Sequence, residues 1–480
     1  MGRKLNMLFV LTDDQRFDTV GALGNPHIKT PNIDRLVNEG FSFRQNFCTT
    51  PICTPARAEI LTGCTSFVNR VPWFGMAINP ELTLLPRAFK DAGYHTIHVG
   101  KWHNDGHPRD KGYDVTSCVF HNDNLNNHAK TGHYMRFKEP WGEVSGHSSE
   151  IFTDSALRLL ENAPADKPWF CFLAYHAPHD PFDAPEPFAS MYDPEKMPLY
   201  PNYMPEHPVD NGDMTIRDEL LENWPRTQER MRRYRAKYYG MISHMDFHFG
   251  RVLDFLKSKG LDRNTVVVFT GDQGLATGSH GLLGKENMYD HSISSPLIWR
   301  GPSIPRGKTS SALVHHVDLY PTLCEIAGIP KPASAKHGHN LVPLIEGKVR
   351  EVREDVFCEF FSPEDPHEEL RHSQRLIRTE RWKLIWYPLI SRYQLFNIGN
   401  DPCELVDLIA PWRCRRRAKI ADGKKIWTKD AWSAPDEGPQ YSRDEIKEVV
   451  GDLHKRLLRQ MELNEDPLLL KIKPPPPDMG

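Results

Sequence analysis

The chain has 480 residues, enough for one large domain and a smaller one with ample core. Hydrophobic residues make up 39% and charged residues 26%, the balance of an ordinary soluble globular protein. The 60 Lys and Arg against 63 Asp and Glu leave a formal net charge of −3, which excludes a polyanion-coating protein. There is no global pull toward nucleic acid or an anionic membrane, so anion binding has to come from locally gathered cations.

The first predicted element is a strand over Asn6–Leu11. Its apolar run ends at once in Thr12-Asp13-Asp14 with no small-residue cleavage site behind it, so it reads as a strand and not a signal peptide. As written the chain would stay in the cytoplasm; if a leader had been removed, it would be periplasmic or secreted. No apolar run approaches the roughly 20 residues a membrane helix needs. A helix comes next over Pro31–Glu39, opened by Thr30-Pro31 and closed by Glu39-Gly40.

Residues 48 to 63 read CTTPICTPARAEILTG. Thr54 as N-cap and Pro55 in the first helical position predict a short helix over Ala56–Thr62, stopped by Gly63. Cys53 then stands just off a helix N-terminus, whose free N–H groups favour an anion, and Arg57 adds a full charge one turn in. The thiol in that setting is a low-pKa nucleophile, a metal thiolate, half of a disulfide or a bystander, and the local sequence leaves all four open.

Further helices are predicted at Leu82–Asp91, Ser149–Asn162 and Gln228–Lys259, the last closed by Gly260. They alternate with strands at Thr96–Val99, Trp169–Tyr175, Thr265–Thr270 and Pro296–Trp299. That alternation is the signature of an α/β fold, a mostly parallel sheet flanked by helices. After about residue 350 the texture changes. RLIRTERWKLIWYPLISRYQLFNI reads as two or three short strands, Asp401-Pro402 as a break, and Asp444–Glu462 as a late helix. We therefore expect a catalytic domain over 1–350 and a small antiparallel sheet with a helix over 351–480. The basic run RCRRRAK (413–419) reads as a solvated loop, Trp412, Trp427 and Trp432 as packing or interface residues, and PPPPDMG as an extended or disordered tail. The 9 cysteines are an odd number without C-x-x-C spacing, which speaks against a disulfide framework or a zinc ribbon.

The chemistry lies in the residues directly after each strand. Open parallel sheets bind ligands beyond the carboxyl ends of their strands. Those ends deliver Asp13 and Asp14, then Lys101 and His103, then His176 and His179, then Asp272 and Gln273. The three aspartates and the Gln273 amide oxygen form an all-oxygen set suited to a hard cation, Ca²⁺ or Mg²⁺, and not to zinc. Arg57, Lys101 and Lys285 sit in Gly-, Pro- or His-rich loops near strand ends. Ten of the 23 histidines fall between His95 and His179. His95, His98, His121 and His128 read as ordinary core or surface residues, whereas His103 and His179 directly succeed strands, where a general acid or anion donor belongs. Metal, cations and a helix N-terminus together suit a tetrahedral oxyanion ester. A thiolate is an awkward ligand for a hard cation, so the site wants an oxygen nucleophile where the sequence offers sulfur.

CTPAR (53–57) resembles the C-x-P-x-R signature of the type I, formylglycine-dependent sulfatases of the alkaline-phosphatase-like superfamily. The resemblance extends through MLFVLTDDQR, PNIDRLVNEG, GYHTIHVGKWH, FLAYHAPHDPF, VVVFTGDQGLATGSHGLLGK, RTERWKLI and LFNIGNDPCELVDL. It implies that Cys53 is oxidised to formylglycine by a formylglycine-generating enzyme, and that one hydroxyl of its hydrate attacks sulfur while the other later expels sulfate. It further implies that Asp13, Asp14, Asp272, Gln273 and residue 53 bind Ca²⁺. By the same likeness Arg57 orients the modified residue; Lys101, His179 and Lys285 hold the sulfate; His179 or Lys285 protonates the leaving alcohol; and His103 assists sulfate release. Gln273 departs from the more frequent Asn, with a longer reach to the metal.

The expected activity is therefore hydrolysis of a sulfate monoester on a small molecule or saccharide. Asn104, Asp105 and His107, in a segment rich in His, Asn and Gly (Asn104 to Gly146), are the expected contacts to the rest of the substrate. Two other readings stay in view: a phosphonate monoester or phosphodiester hydrolase of the same superfamily, and a non-catalytic sulfate-ester-binding protein with unmodified Cys53. The Lys-x-His pair in GKWH argues against the first, and proton-transfer groups argue against the second. Substrate identity, exo or endo action and oligomeric state are left open by the sequence.

Overall fold

The computed structural model describes residues 4–121, 132–210, 214, 216–361, 373–409, 417–421, 424–428, 441–470, 472 and 474–477, with backbone alone over 417–428. Two compact units form: Met1–Asp210 with Met214–Arg353, and Glu354–Gly480 with Asn211–Asp213.

The larger unit is built on eight strands: β1 Asn6–Thr12, β2 Phe41–Phe47, β3 His95–Lys101, β4 Val115–Phe120, β7 Trp169–Ala174, β8 Thr265–Gly271, β9 Leu297–Arg300 and β10 Lys308–His315. A separate hairpin, β5 Tyr134–Glu139 and β6 Gly142–His147, lies between β4 and β7. The sheet order is β10-β2-β9-β8-β1-β7-β3-β4. All neighbours are parallel except β9, which runs antiparallel to both β2 and β8. NMLFVLT, WFCFLA and TVVVFTG are buried along their whole length, because helices cover both faces of a parallel sheet. Alternate residues of β1 supply the two cores. Leu8 and Val10 pack toward Ile242, Met245 and Phe249, while Met7, Phe9 and Leu11 pack toward Ile60, Phe89 and Leu323.

The helices are α1 Pro31–Glu39, α2 Cys53–Thr62, α3 Ser66–Asn69, α4 Leu85–Asp91, α5 Ser148–Glu161 and the long α6 Gln228–Ser258, with shorter ones after it. The expected helix from Leu82 starts only at Leu85, since Pro86 requires a first-turn place where no N–H bond is lost. At α2 the expectation is corrected more sharply. The helix begins at Cys53 itself, with Ile52 as N-cap, and the first intrahelical bond runs from Ala56 N to Ile52 O at 3.0 Å. Pro55 is accommodated at the third helical position because that N–H has no intrahelical partner either, and the Thr54 hydroxyl, buried without a partner, does not cap. β2 escaped sequence reading because Arg44 and Gln45 interrupt its apolar pattern.

The smaller unit is an antiparallel sheet of four strands, β11 Asp355–Phe360, β12 Gln374–Thr379, β13 Trp382–Tyr387 and β14 Arg392–Asn397; the last three occupy the stretch expected to hold two or three strands, and β11 lies before it. The helix Arg443–Leu463, opened by a Ser442/Glu445 capping box, packs Ile446, Val450, Leu453 and Leu457 on Ile377, Leu384, Trp386 and Leu395. Arg417–Lys419, expected in a loop, belong to the first strand of a hairpin, β15 Arg417–Ala421 with β16 Lys424–Thr428. Residues 413–416, Trp412, Trp432, the Trp427 side chain and His128 lie outside the described residues, as does the end of the PPPPDMG tail. Among the described residues no helix is long and apolar enough to cross a membrane. The eight described cysteines are all free, and seven of them are buried.

Candidate active site

The carboxyl ends of the central strands are laced together before any side chain is considered. Asp272 N donates to Thr12 O (3.0 Å), Tyr175 N to Leu11 O (2.8 Å) and Asp13 N to Ala177 O (3.2 Å). The strands thereby converge Asp13, Asp14, Lys101, His176, His179 and Asp272 on one edge. Asp14 and His103 take left-handed backbone, φ 65° and 52°, which turns their side chains back toward that edge. Gly100 also has positive φ, and a Cβ there would lie 2.1 Å from Ala174 O. β4 carries one extra residue opposite it, between Ser117 and Phe120, so the register shifts where Lys101 is presented.

Ligand oxygens of Asp13, Asp14 and Asp272 lie within 4.8 Å of one another, and all three residues are fully buried. Burial would raise the Asp13 carboxyl, but Lys101, His179, His176 and Arg57 hold it well below the usual carboxylate range. Burial and the neighbouring Asp13 push Asp272 up to about 8 despite Arg57. Lys101 therefore favours the charge on Asp13, while the crowding of like charges disfavours it on Asp272. Gln273 Nε2 donates to Asp14 Oδ1 (2.6 Å) and to Cys53 Sγ (3.2 Å), which leaves Gln273 Oε1 buried with no donor. Turning the amide over would give a fourth oxygen facing the carboxylates. An orphaned amide oxygen beside three crowded carboxylates fits a hard divalent cation.

Cys53 Sγ donates to Asp13 Oδ1 at 3.2 Å. Burial and the charges of Asp13 and Asp14 raise this thiol well above its ordinary value, against Lys101 and Lys285. Of the roles open to it, those of a low-pKa thiolate and a disulfide half are excluded by this setting and by its being free. Arg57 is buried beneath, with Nε and Nη2 at 3.0 and 2.8 Å from Asp272 Oδ2 and Nη1 donating to Lys101 O (3.0 Å).

Lys101 is fully buried and its ammonium donates to Asp13 Oδ2; Lys285 Nζ donates to Asp14 Oδ2 at 2.8 Å. His179 Nε2 lies 3.8 Å from the same oxygen. Its Nδ1 is 2.7 Å from the Asp180 carbonyl, which can only accept, so Nδ1 carries the proton and Nε2 faces the site. His103 lies tilted against Phe74, 5.4 Å between ring centres, and its Nδ1 is buried without a partner. Burial and the cations Lys101 and Arg57 keep it neutral.

The remaining expected contacts separate. Asn104 is buried and its amide donates to Thr54 O (2.9 Å), tying its loop to α2, while its Oδ1 has no partner. Asp105 accepts Ile78 N (2.9 Å) and pairs with Lys111 (2.5 Å), and His107 accepts Arg109 N (3.2 Å) as a helix cap. Those bonds hold local backbone, and none among the described residues reaches the carboxylate cluster. His176 was visible at a strand end but given no role; its Nδ1 donates to Asp13 Oδ2 at 3.2 Å. Asp218, 3.7 Å from Lys285 Nζ, lies in a segment with no local signal and could not have been found.

Residues 5–329, well over half of the chain, match the family profile described as Sulfatase. The chain belongs to the sulfatase family. Residues 278–419 of this sulfatase also match the profile described as N-sulphoglucosamine sulphohydrolase, C-terminal. N-acetylglucosamine-6-O-sulfatase of Bacteroides thetaiotaomicron is 28% identical to it over 87% of this chain and 85% of its own. A solved structure in complex with its substrate D-glucosamine-2-N,6-O-disulfate shares the fold at TM-score 0.80 and 24% identity, covering 97% of this chain and 99% of that one. Phosphonate monoester hydrolase of Agrobacterium radiobacter matches at TM-score 0.71 and 25% identity, covering 84% and 91%. The sulfatase is a sulfuric ester hydrolase of a family that works with a bound metal ion and a formylglycine.

Proposed function

We propose that this sulfatase hydrolyses a sulfate monoester on a saccharide, with Ca²⁺ held by Asp13, Asp14, Asp272, Gln273 and residue 53, and with Cys53 matured to formylglycine. The supporting observation is the position of Cys53: Sγ sits 3.2 Å from Asp13 Oδ1, at the edge of the carboxylate cluster and against a helix N-terminus. The raised thiol explains why sulfur itself is a poor nucleophile there; a formylglycine hydrate would supply an oxygen nucleophile, and a cation held by these residues would supply charge neutralisation to it and to the sulfate.

The chain's own residues do the rest. Lys101 and Lys285 bring two buried ammonium groups to the carboxylates, where they hold the sulfate oxygens together with His179. Lys285 Nζ, or His179 Nε2 when the ring carries a proton on both nitrogens, gives a proton to the departing alcohol oxygen. His103 Nδ1, neutral and without a partner, is the base for a proton on residue 53 when sulfate leaves. Arg57 orients residue 53 and steadies Asp272 from below. The saccharide is supported by the relative named N-acetylglucosamine-6-O-sulfatase. Asn104 Oδ1 is the open contact for it, while Asp105 and His107 shape the loop around it.

The test is a mass spectrum of the tryptic peptide ending at Arg57, after thiol alkylation, from protein expressed with and without a formylglycine-generating enzyme. We expect Cys48 to alkylate and residue 53 to have exchanged sulfur for an aldehyde oxygen. Alkylation of both would favour the binding-protein reading. On the matured protein, a preference for aryl phosphodiester over aryl sulfate beyond about tenfold in kcat/KM, roughly 1.4 kcal/mol of barrier, would sink the sulfate reading.

A further inference from the structure

The segment from Ile216 to Arg226 carries no motif, yet three consecutive residues in it reach both sides of the anion cradle. Arg217 clamps Asp180 with its whole guanidinium, Nη1 to Oδ1 at 2.6 Å and Nη2 to Oδ2 at 2.5 Å, and Nη1 also donates to Asp218 Oδ1 at 2.8 Å. Asp180 directly succeeds His179, whose Nδ1 donates to the Asp180 main-chain carbonyl at 2.7 Å and lies 3.3 Å from the clamped carboxylate oxygen Oδ1. Asp218 turns Oδ2 toward Lys285 Nζ at 3.7 Å. Glu219, only 2% exposed, accepts the backbone N–H groups of Leu283 (3.0 Å) and Gly284 (2.8 Å), the two residues before Lys285. Its second oxygen takes Arg226 Nη2 at 2.8 Å, and the Arg226 guanidinium lies over the Trp224 ring at 3.9 Å.

The contact is also steric. A Cβ on Gly284 would come 2.8 Å from Asp218 Cβ and 3.2 Å from Glu219 Oε1, so the Ile216–Arg226 segment and the loop before Lys285 meet with no room for a side chain between them. Four N–H bonds to Glu219 come from three donors, and a carboxylate is the one side chain here that can accept all of them without offering a donor in return.

We propose that Arg217, Asp218 and Glu219 are positioning residues that set the spacing of His179 and Lys285: Arg217 through Asp180, Asp218 through its carboxylate facing Lys285 Nζ, and Glu219 through the backbone before Lys285. The proposal rests on the reading that these two side chains hold the sulfate. Neither sits on a rigid element: one is on a loop after β7 and the other ends a flexible four-carbon stem. Misplacing a catalytic group by about 1 Å costs on the order of a hundredfold in rate, so a buried carboxylate fixing adjacent amides is a catalytic requirement at this place.

The experiment compares native protein, matured at residue 53, with Glu219→Gln, Glu219→Asp and Arg217→Ala. Two readouts are taken: hydrogen exchange of the peptide spanning Leu283 to Lys285, and kcat and KM for an aryl sulfate. We expect faster exchange and a kcat lower by at least about tenfold in Glu219→Gln, with KM nearly unchanged and part of kcat recovered in Glu219→Asp. Arg217→Ala should lower kcat without altering exchange at Leu283. Native exchange in Glu219→Gln, or kcat within about twofold of native in both Glu219→Gln and Arg217→Ala, overturns the proposal. If the native protein leaves aryl sulfate intact, the reading of the site fails instead, and the exchange comparison alone then decides whether Glu219 holds the loop.

Discussion

Gln273 Nε2 and Asp14 Oδ1 lie 2.6 Å apart, so the amide presents its nitrogen to the carboxylate cluster and leaves its oxygen without a donor. A bound cation would reverse that preference, because it would attract the amide oxygen and offset the like-charge crowding that pushes Asp272 up. The metal-free and metal-bound states should therefore differ in stability as well as in activity.

Thermal unfolding should report this directly. Ca²⁺ at 100 times its Kd should stabilise the native chain by about 2.7 kcal/mol, and Asp272→Asn should lose most of the rise in Tm. A Tm indifferent to Ca²⁺ and to chelator in the native chain would remove the metal from these residues.

Lys101→Ala removes one ammonium from the cradle. In metal-loaded, matured protein we expect kcat/KM to fall by about 10²–10³-fold, the scale of one lost oxyanion donor, with the circular dichroism spectrum retained. Near-native turnover would take Lys101 out of the sulfate site, whatever the state of the other cations.

Gly100→Ala tests the bulge that presents Lys101. With φ at 94° and a Cβ only 2.1 Å from Ala174 O, the substitution should cost at least about 1 kcal/mol and lower activity through displacement of Lys101. A variant as stable and active as the native chain would show that β3 and β7 can part there without cost.

Glu59 tests the loop that carries Cys53. Its carboxylate accepts Thr49 N (2.9 Å) and Thr50 N (3.2 Å), and burial raises it from 4.5 to about 8. The native state thus holds a proton that the unfolded chain releases, so this group's contribution is present below pH 4.5 and is lost as pH rises toward 8. Denaturant unfolding of Glu59→Gln and of the native chain should diverge in that window by up to about 1.4 kcal/mol per pH unit, in the variant's favour as pH rises. Parallel pH profiles would mean that Glu59 titrates normally.

The α/β class, the central strands and most helices were legible because buried parallel strands such as NMLFVLT and TVVVFTG are apolar without interruption and the helices carry Pro and Gly at their ends. The polar residues at the strand ends were legible for the same reason: the chain places them immediately after each strand. β2 was not, because Arg44 and Gln45 in mid-strand broke its pattern, and the start of α2 was misplaced because Pro55 is tolerated anywhere in a first turn. What the sequence determined by itself was the roster: three aspartates, Gln273, Cys53, Arg57, two lysines and the histidines, each tied to a local motif. Tertiary structure alone decided the pairings. Lys101 faces Asp13, Lys285 faces Asp14, Asp105 turns away to Ile78 and Lys111, and Glu219 reaches the amides before Lys285 from 64 residues earlier in the chain. Such contacts depend on where loops cross in space, and no local period or spacing encodes that.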